Sequence, residues 1–210
     1  MVKLFVEGGG DGKALRAECR QAISEFLKKA GLAGCLPRTV ASGGRRQAYE
    51  DFCTAIASGE PALLLVDSEG PVAAEHQAGE AGAWQPWSHL AQRIGDGWAK
   101  PDGALDEHCH LMVECMESWF LADRATLKAF FDPGFRANAL PAAGEAIESV
   151  GKVQLYQALS AATSNCKTKA QYGKGAHSFK LLVSIDPTKV VAASPWAKRF
   201  VDETKRQMGC

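Results

Sequence analysis

The chain has 210 residues, 46% hydrophobic and 23% charged, and no apolar run approaches the ~18 residues that cross a bilayer, so it reads as globular and not membrane-spanning. Lysine plus arginine equal aspartate plus glutamate at 24 each, and zero net charge argues against tight stand-alone nucleic-acid binding, which ordinarily needs a basic excess. Met1-Val2-Lys3 enters the first apolar stretch without a signal peptide, which predicts a cytoplasmic protein with reduced thiols. The seven cysteines, with no CxxC pair, argue against a disulfide framework and a zinc ribbon. His108-Cys109-His110 with Cys115 is a poor zinc cluster, because on a strand Cys109 faces away from both histidines.

In chain order, Leu4-Phe5-Val6 is apolar without alternation, which predicts a strand covered on both faces; it ends on Glu7 and breaks into Gly8-Gly9-Gly10-Asp11-Gly12. Residues 13–30 place Leu15, Cys19, Ala22, Ile23, Phe26 and Leu27 at helical spacing, and Gly31 stops the helix. A short second strand follows at 35–41, then a turn at Ser42-Gly43-Gly44 and a second helix at 45–58 with Tyr49, Phe52, Cys53 and Ile56 on one face. Leu63-Leu64-Leu65-Val66-Asp67-Ser68-Glu69-Gly70 repeats the first pattern, with a buried strand at 62–66 that stops on acids. Two β-α units leading into a third strand predict an α/β fold: a doubly wound, mainly parallel sheet of about four strands flanked by helices.

Residues 70–106 are rich in Gly, Pro, Ala and Trp, with one helix expected at 86–94. There Trp84, Trp87 and Trp98 either stack on bases or sugars or anchor the excursion to the core. A fourth strand is expected at 109–114 and its helix at 116–131, with Glu114 at the strand end and Glu117 in the first helical turn. A glutamate there either complements the helix dipole or serves a metal. Helices at 152–163 and 178–183, and a last one capped by Ser194-Pro195, make residues 136–210 a helical extension packed on an α/β domain of residues 1–135.

In open parallel sheets ligands bind outside the carboxyl ends of the strands, where Glu7, Asp11, Asp67 and Glu69 are expected to gather. Carboxylates in close array repel unless a cation neutralises them, and hard oxygen donors suit Mg²⁺ or Mn²⁺. The pattern predicts a metal-dependent phosphoryl-transfer site with Asp67 and Glu69 as ligands, Glu7 as ligand or general acid/base, and Asp11 as outer ligand. The alternative is a set of exposed caps and turn residues. The glycine run is no P-loop, since Lys13 is followed by Ala14 and Glu7 would repel phosphates unless a cation intervened. Arg45-Arg46 with Lys167, Lys169, Lys174 and Lys180 suggest a local positive groove for nucleic acid.

Glu7 in the pattern Glu-Gly-x-x-Asp, with Asp67-Ser68-Glu69 closing a later strand, resembles the Toprim signature of topoisomerases, primases and overcoming-lysogenization-defect (OLD) nucleases. Here Glu69 stands where the second aspartate usually does. With Met116-Glu117-Ser118-Trp119-Phe120-Leu121-Ala122-Asp123 and Tyr172-Gly173-Lys174, the chain resembles an uncharacterised family of small Toprim-like proteins, domain-of-unknown-function family 4276. The resemblance implies a nuclease acting on DNA or RNA, in bacterial defence with a partner ATPase, and leaves a homodimer open. It implies Lys174 as the cation that stabilises phosphorane charge, with Lys180 the alternative; Glu117, from its place in the first helical turn, is a further candidate metal ligand. A non-catalytic binding or effector module that keeps the fold and acts through a partner protein is the second reading.

Overall fold

A computed structural model describes residues 1–210. Four strands, β1 (Lys3–Gly9), β2 (Arg38–Gly43), β3 (Ala62–Asp67) and β4 (Cys109–Met112), form one wholly parallel sheet in the order β2-β1-β3-β4. β1 and β3 are neighbours, with Lys3 level with Ala62 and Val6 level with Leu65, so both acidic strand ends emerge side by side. The chain passes from β1 outward to β2, then crosses to the other side for β3 and β4. The point at which the strand order reverses therefore lies between β1 and β3, where open α/β sheets bind ligands.

The apolar strand runs supply both faces of the sheet. Leu4, Val6, Leu63 and Leu65 join one core and Phe5, Leu64 and Val66 the other, the two-residue period of extended chain. Helix α1 (Lys13–Leu27) buries Cys19, Ala22, Ile23, Phe26 and Leu27 on the first face, and α2 (Arg45–Ala57) buries Ala48, Phe52 and Ala55 on the second. Successive crossovers thus lie on opposite faces, which is the doubly wound arrangement. Full burial of one such Leu, Phe or Val contributes roughly 1.5–3 kcal/mol.

The long segment between β3 and β4 holds α3 (Pro86–Gln92). Trp87 and Trp98 are buried there, Trp98 stacks on Tyr49 of α2 at 4.7 Å between ring centroids, and Trp84 packs on Trp196 at 4.6 Å. These rings anchor the excursion to the body of the protein. Four C-terminal helices, α5 (Lys152–Thr163), α6 (Lys174–Ser184), α7 (Pro187–Ala193) and α8 (Pro195–Met208), follow α4 (Arg124–Phe131). Leu155, Leu159, Leu181, Leu182 and Phe200 join the α1-side core. As expected, the Ser194 hydroxyl caps α8, accepting the Ala197 N–H at 2.9 Å.

Several boundaries differ from the sequence reading for identifiable reasons. β2 begins at Arg38 because Pro37 has no N–H to donate; the Arg38 N–H makes the bond to the Val2 carbonyl at 2.9 Å. Residues 116–131 are not one α-helix: Met116–Asp123 is a 3-10 helix with all but Ala122 buried, and Asp123 then caps α4. Helix α6 starts at Lys174, earlier than expected. The expectation of uniformly reduced thiols is corrected by a disulfide between Cys35 and Cys210, whose Cα atoms lie 6.4 Å apart. The two are 175 residues apart in sequence, so only the packing of the end of α8 near the turn after α1 brings them together. Cys109 packs in the α2-side core, whereas His110 faces Phe200 on the opposite side, as strand alternation requires.

Candidate metal centre

β1 leaves the sheet through a glycine turn that only glycine permits. Gly9 has φ +89°, and a Cβ there would lie 2.6 Å from the Arg16 Cα, so the turn lets the start of α1 close over the strand end. Glu7 sits just before this turn. Its Oε2 accepts the backbone N–H of Asp67 at 3.2 Å and lies 3.7 Å from Nε of Arg45. The same Nε donates to the Asp67 carbonyl at 2.9 Å, while the guanidinium lies 4.3 Å above the Trp98 ring and pairs with Asp96.

Asp67 is only 2% exposed. Its Oδ1 accepts the Met116 N–H at 2.9 Å, and its Oδ2 lies 3.5 Å from Nζ of Lys152 and 3.8 Å from Nζ of Lys174. Glu69 occupies the left-handed backbone region at φ 62°, held there in part by its N–H, which donates to the Glu114 carbonyl at 2.9 Å. Its Oε1 accepts from Nζ of Lys152 at 2.5 Å. One carboxylate oxygen from each of Glu7, Asp67 and Glu69 lies within 4.8 Å of the others.

The electrostatics separate these groups. Burial raises the pKa of Glu7 against the pull of the Asp67 N–H and Arg45, and burial with the Glu7 and Glu117 charges raises Asp67 well above the ordinary range. Burial works in the same direction on Glu69, but Lys152, Arg45 and Arg93 outweigh it and bring that carboxyl below its usual value. Lys152 and Lys174 are both raised: burial opposes their charge, and the surrounding carboxylates override it. A cavity of about 320 Å³ adjoins the cluster, lined by Glu7, Gly10, Asp67, Met116, Lys174 and Phe179 among others.

A family model described as a domain of unknown function, DUF4276, matches residues 6–204. The chain belongs to the DUF4276 family. No curated protein and no solved structure matches it. The family match takes in the whole acidic cluster and both lysines, and its description assigns them no activity.

Not all the residues singled out in the DUF4276 sequence meet at this point. Asp11 is exposed at the turn, 3.7 Å from Arg16, and is not one of the three clustered acids. Glu117 is fully buried and accepts from the hydroxyls of Tyr156 at 2.9 Å, Ser178 at 2.9 Å and Tyr172 at 3.2 Å. Arg46 is exposed and pairs with Glu50 at 2.9 Å, and Lys180 lines a separate surface recess with Glu18 and Phe130. Arg45 and Lys174 do reach the cluster.

Lys152 is the member that the sequence reading missed. Arg45, Lys152 and Lys174 are each the first residue of a helix, where a positive charge opposes the helix dipole, and each is paired with an acid of the cluster. Lys13 and Arg124 begin α1 and α4 in the same way without reaching it, so the position alone did not mark Lys152. Three oxygen donors of this kind fit a hard divalent cation, provided Lys152 gives up its place between Asp67 and Glu69.

Proposed function

We propose that this DUF4276 protein is a Mg²⁺- or Mn²⁺-dependent phosphodiesterase acting on nucleic acid, DNA or RNA, as the Toprim resemblance implies. The observation that carries the reading is the convergence of Glu7, Asp67 and Glu69 beside a cavity at the reversal point of the sheet. These three carboxylates would hold the cation. A divalent cation bound to such a set neutralises developing phosphoryl charge and lowers the pKa of a coordinated water.

The chain's own groups supply the rest. Glu7 has one oxygen fixed by the Asp67 N–H, which leaves Oε1 either to bind the cation or to hold and pass a proton, and burial shifts its pKa upward, the direction a general acid/base needs. Lys174, whose side chain is half exposed, offers its ammonium to a phosphoryl oxygen. Arg45 fixes the rotamer of Glu7 and the end of β3 together. A role in phage defence with a partner ATPase, and action as a homodimer, extend this proposal by resemblance alone.

The second reading, a binding or effector module, rests on the fact that Arg45, Lys152 and Lys174 already balance the three carboxylates one for one. The deciding experiment melts the protein with EDTA and with Mn²⁺ and tests cleavage of single-stranded DNA, duplex DNA and structured RNA. A Mn²⁺-dependent rise in Tm that Asp67→Asn abolishes, together with cleavage, supports the phosphodiesterase. No rise and no cleavage under any of these conditions selects the binding module.

A further inference from the structure

Lys152 occupies the gap between Asp67 and Glu69. Its Nζ lies 2.5 Å from Oε1 of Glu69 and 3.5 Å from Oδ2 of Asp67, within the space a cation liganded by both acids would fill. A divalent cation needs oxygens at about 2.0–2.6 Å. An ammonium and a metal ion sharing one gap would stand within a few ångströms of each other and repel strongly. The two are therefore alternatives.

The position of the lysine is built into the backbone. Lys152 is the first residue of α5, and its N–H donates to Oε2 of Glu114 at 2.8 Å. The Glu114 carbonyl in turn accepts the Glu69 N–H at 2.9 Å, so one residue holds both partners of the pair. The exit for the lysine is open, since the side chains of Lys152 and Glu69 are each 23% exposed whereas that of Asp67 is 3% exposed. A flexible four-carbon stem can carry the ammonium outward while its backbone stays fixed.

We propose that Lys152 is a tethered counter-cation that neutralises Asp67 and Glu69 in the metal-free protein and must leave the gap for a divalent cation to bind, so that it sets the metal affinity of the site. The inference rests on the metal-centre reading above. The apparent Kd is the intrinsic Kd divided by the fraction of molecules with the gap open, so removing the lysine tightens binding. Without metal the same change leaves two carboxylates facing each other unpaired.

The test is titration calorimetry of the full chain with Mn²⁺, with melting in EDTA, for the parent, Lys152→Met, Lys152→Gln and Lys152→Arg. Expected are a Kd for Mn²⁺ at least tenfold lower in the Met and Gln variants, a Kd near that of the parent in Lys152→Arg, and a lower Tm in EDTA for Met and Gln. The opposite signs of the two effects separate this role from a purely structural one, which would lower Tm with and without metal alike. Mn²⁺ binding by the parent with no tightening in Met or Gln overturns the role of Lys152 and leaves the metal centre standing. Binding by no variant overturns the metal centre and this inference with it, and so does binding by the Met and Gln variants alone, because the lysine of the parent then never leaves the gap.

Discussion

Oε2 of Glu7 accepts the backbone N–H of Asp67 at 3.2 Å, a bond that joins the acidic end of β1 to the last residue of β3. Because the donor is a backbone amide in a parallel sheet, it holds the two carboxylates near each other against their repulsion. Arg45 closes the same junction from α2, 3.7 Å from Glu7 and bonded to the Asp67 carbonyl. The cluster is thus a product of strand order, and its acids need not move to meet.

The first prediction concerns the site acids and Lys174. Glu7→Gln and Asp67→Asn each keep side-chain shape and remove a charge, and each should lower the cleavage rate by at least about 100-fold. Lys174→Ala should lower the rate by a similar factor while leaving the Kd for Mn²⁺ nearly unchanged. Asp67→Asn should melt no lower than the parent in EDTA at pH 8, since the buried site disfavours the aspartate charge. Cleavage that survives both amide substitutions would place the activity elsewhere.

Glu117 gives a prediction about stability. Its buried carboxylate satisfies the hydroxyls of Tyr156, Tyr172 and Ser178, the last two near the start of α6, the helix that carries Lys174. Glu117→Leu leaves the Tyr156 hydroxyl without its acceptor and the Tyr172 and Ser178 hydroxyls with only each other, at 2.8 Å, and should cost about 2–4 kcal/mol in urea denaturation. Glu117→Gln should cost less, because its amide still offers an acceptor oxygen. Equal stability of the two variants would show that the hydroxyl network contributes little.

A third prediction is a pH dependence centred on His110. This imidazole is fully buried; burial, and then the Arg199 charge, hold its pKa well below the ordinary 6.5. The unfolded ring takes up a proton near 6.5 while the folded ring stays neutral. Its contribution to stability is therefore present above 6.5 and is lost as pH falls from there toward the lower folded value. Nε2 of His110 is buried without a hydrogen-bond partner, and Arg199 keeps its bonds to the Cys109 and Asp106 carbonyls, so His110→Leu should be no less stable than the parent at pH 7.5. It should also lose less stability than the parent between pH 7.5 and 5.5. Parallel urea midpoints for both proteins over that range would refute the assignment.

What the sequence determined by itself had a local cause. The strands at Leu4-Phe5-Val6 and Leu63-Leu64-Leu65-Val66 were legible because apolar runs this short, bounded by turn residues, suit a strand covered on both faces better than a helix. The acids that end them were legible for the same reason, and so was the Ser194 cap. The change from 3-10 to α within residues 116–131 was hidden, because a segment buried on nearly every side carries no periodicity. Tertiary structure alone decided which three acids share a space, that Asp11 turns outward to Arg16, and that Cys210 meets Cys35. It alone placed Lys152, 83 residues beyond Glu69, between Glu69 and Asp67. Pairing across such distances depends on how helices dock on the sheet, and a charge leaves no mark in the sequence of the partner it will meet.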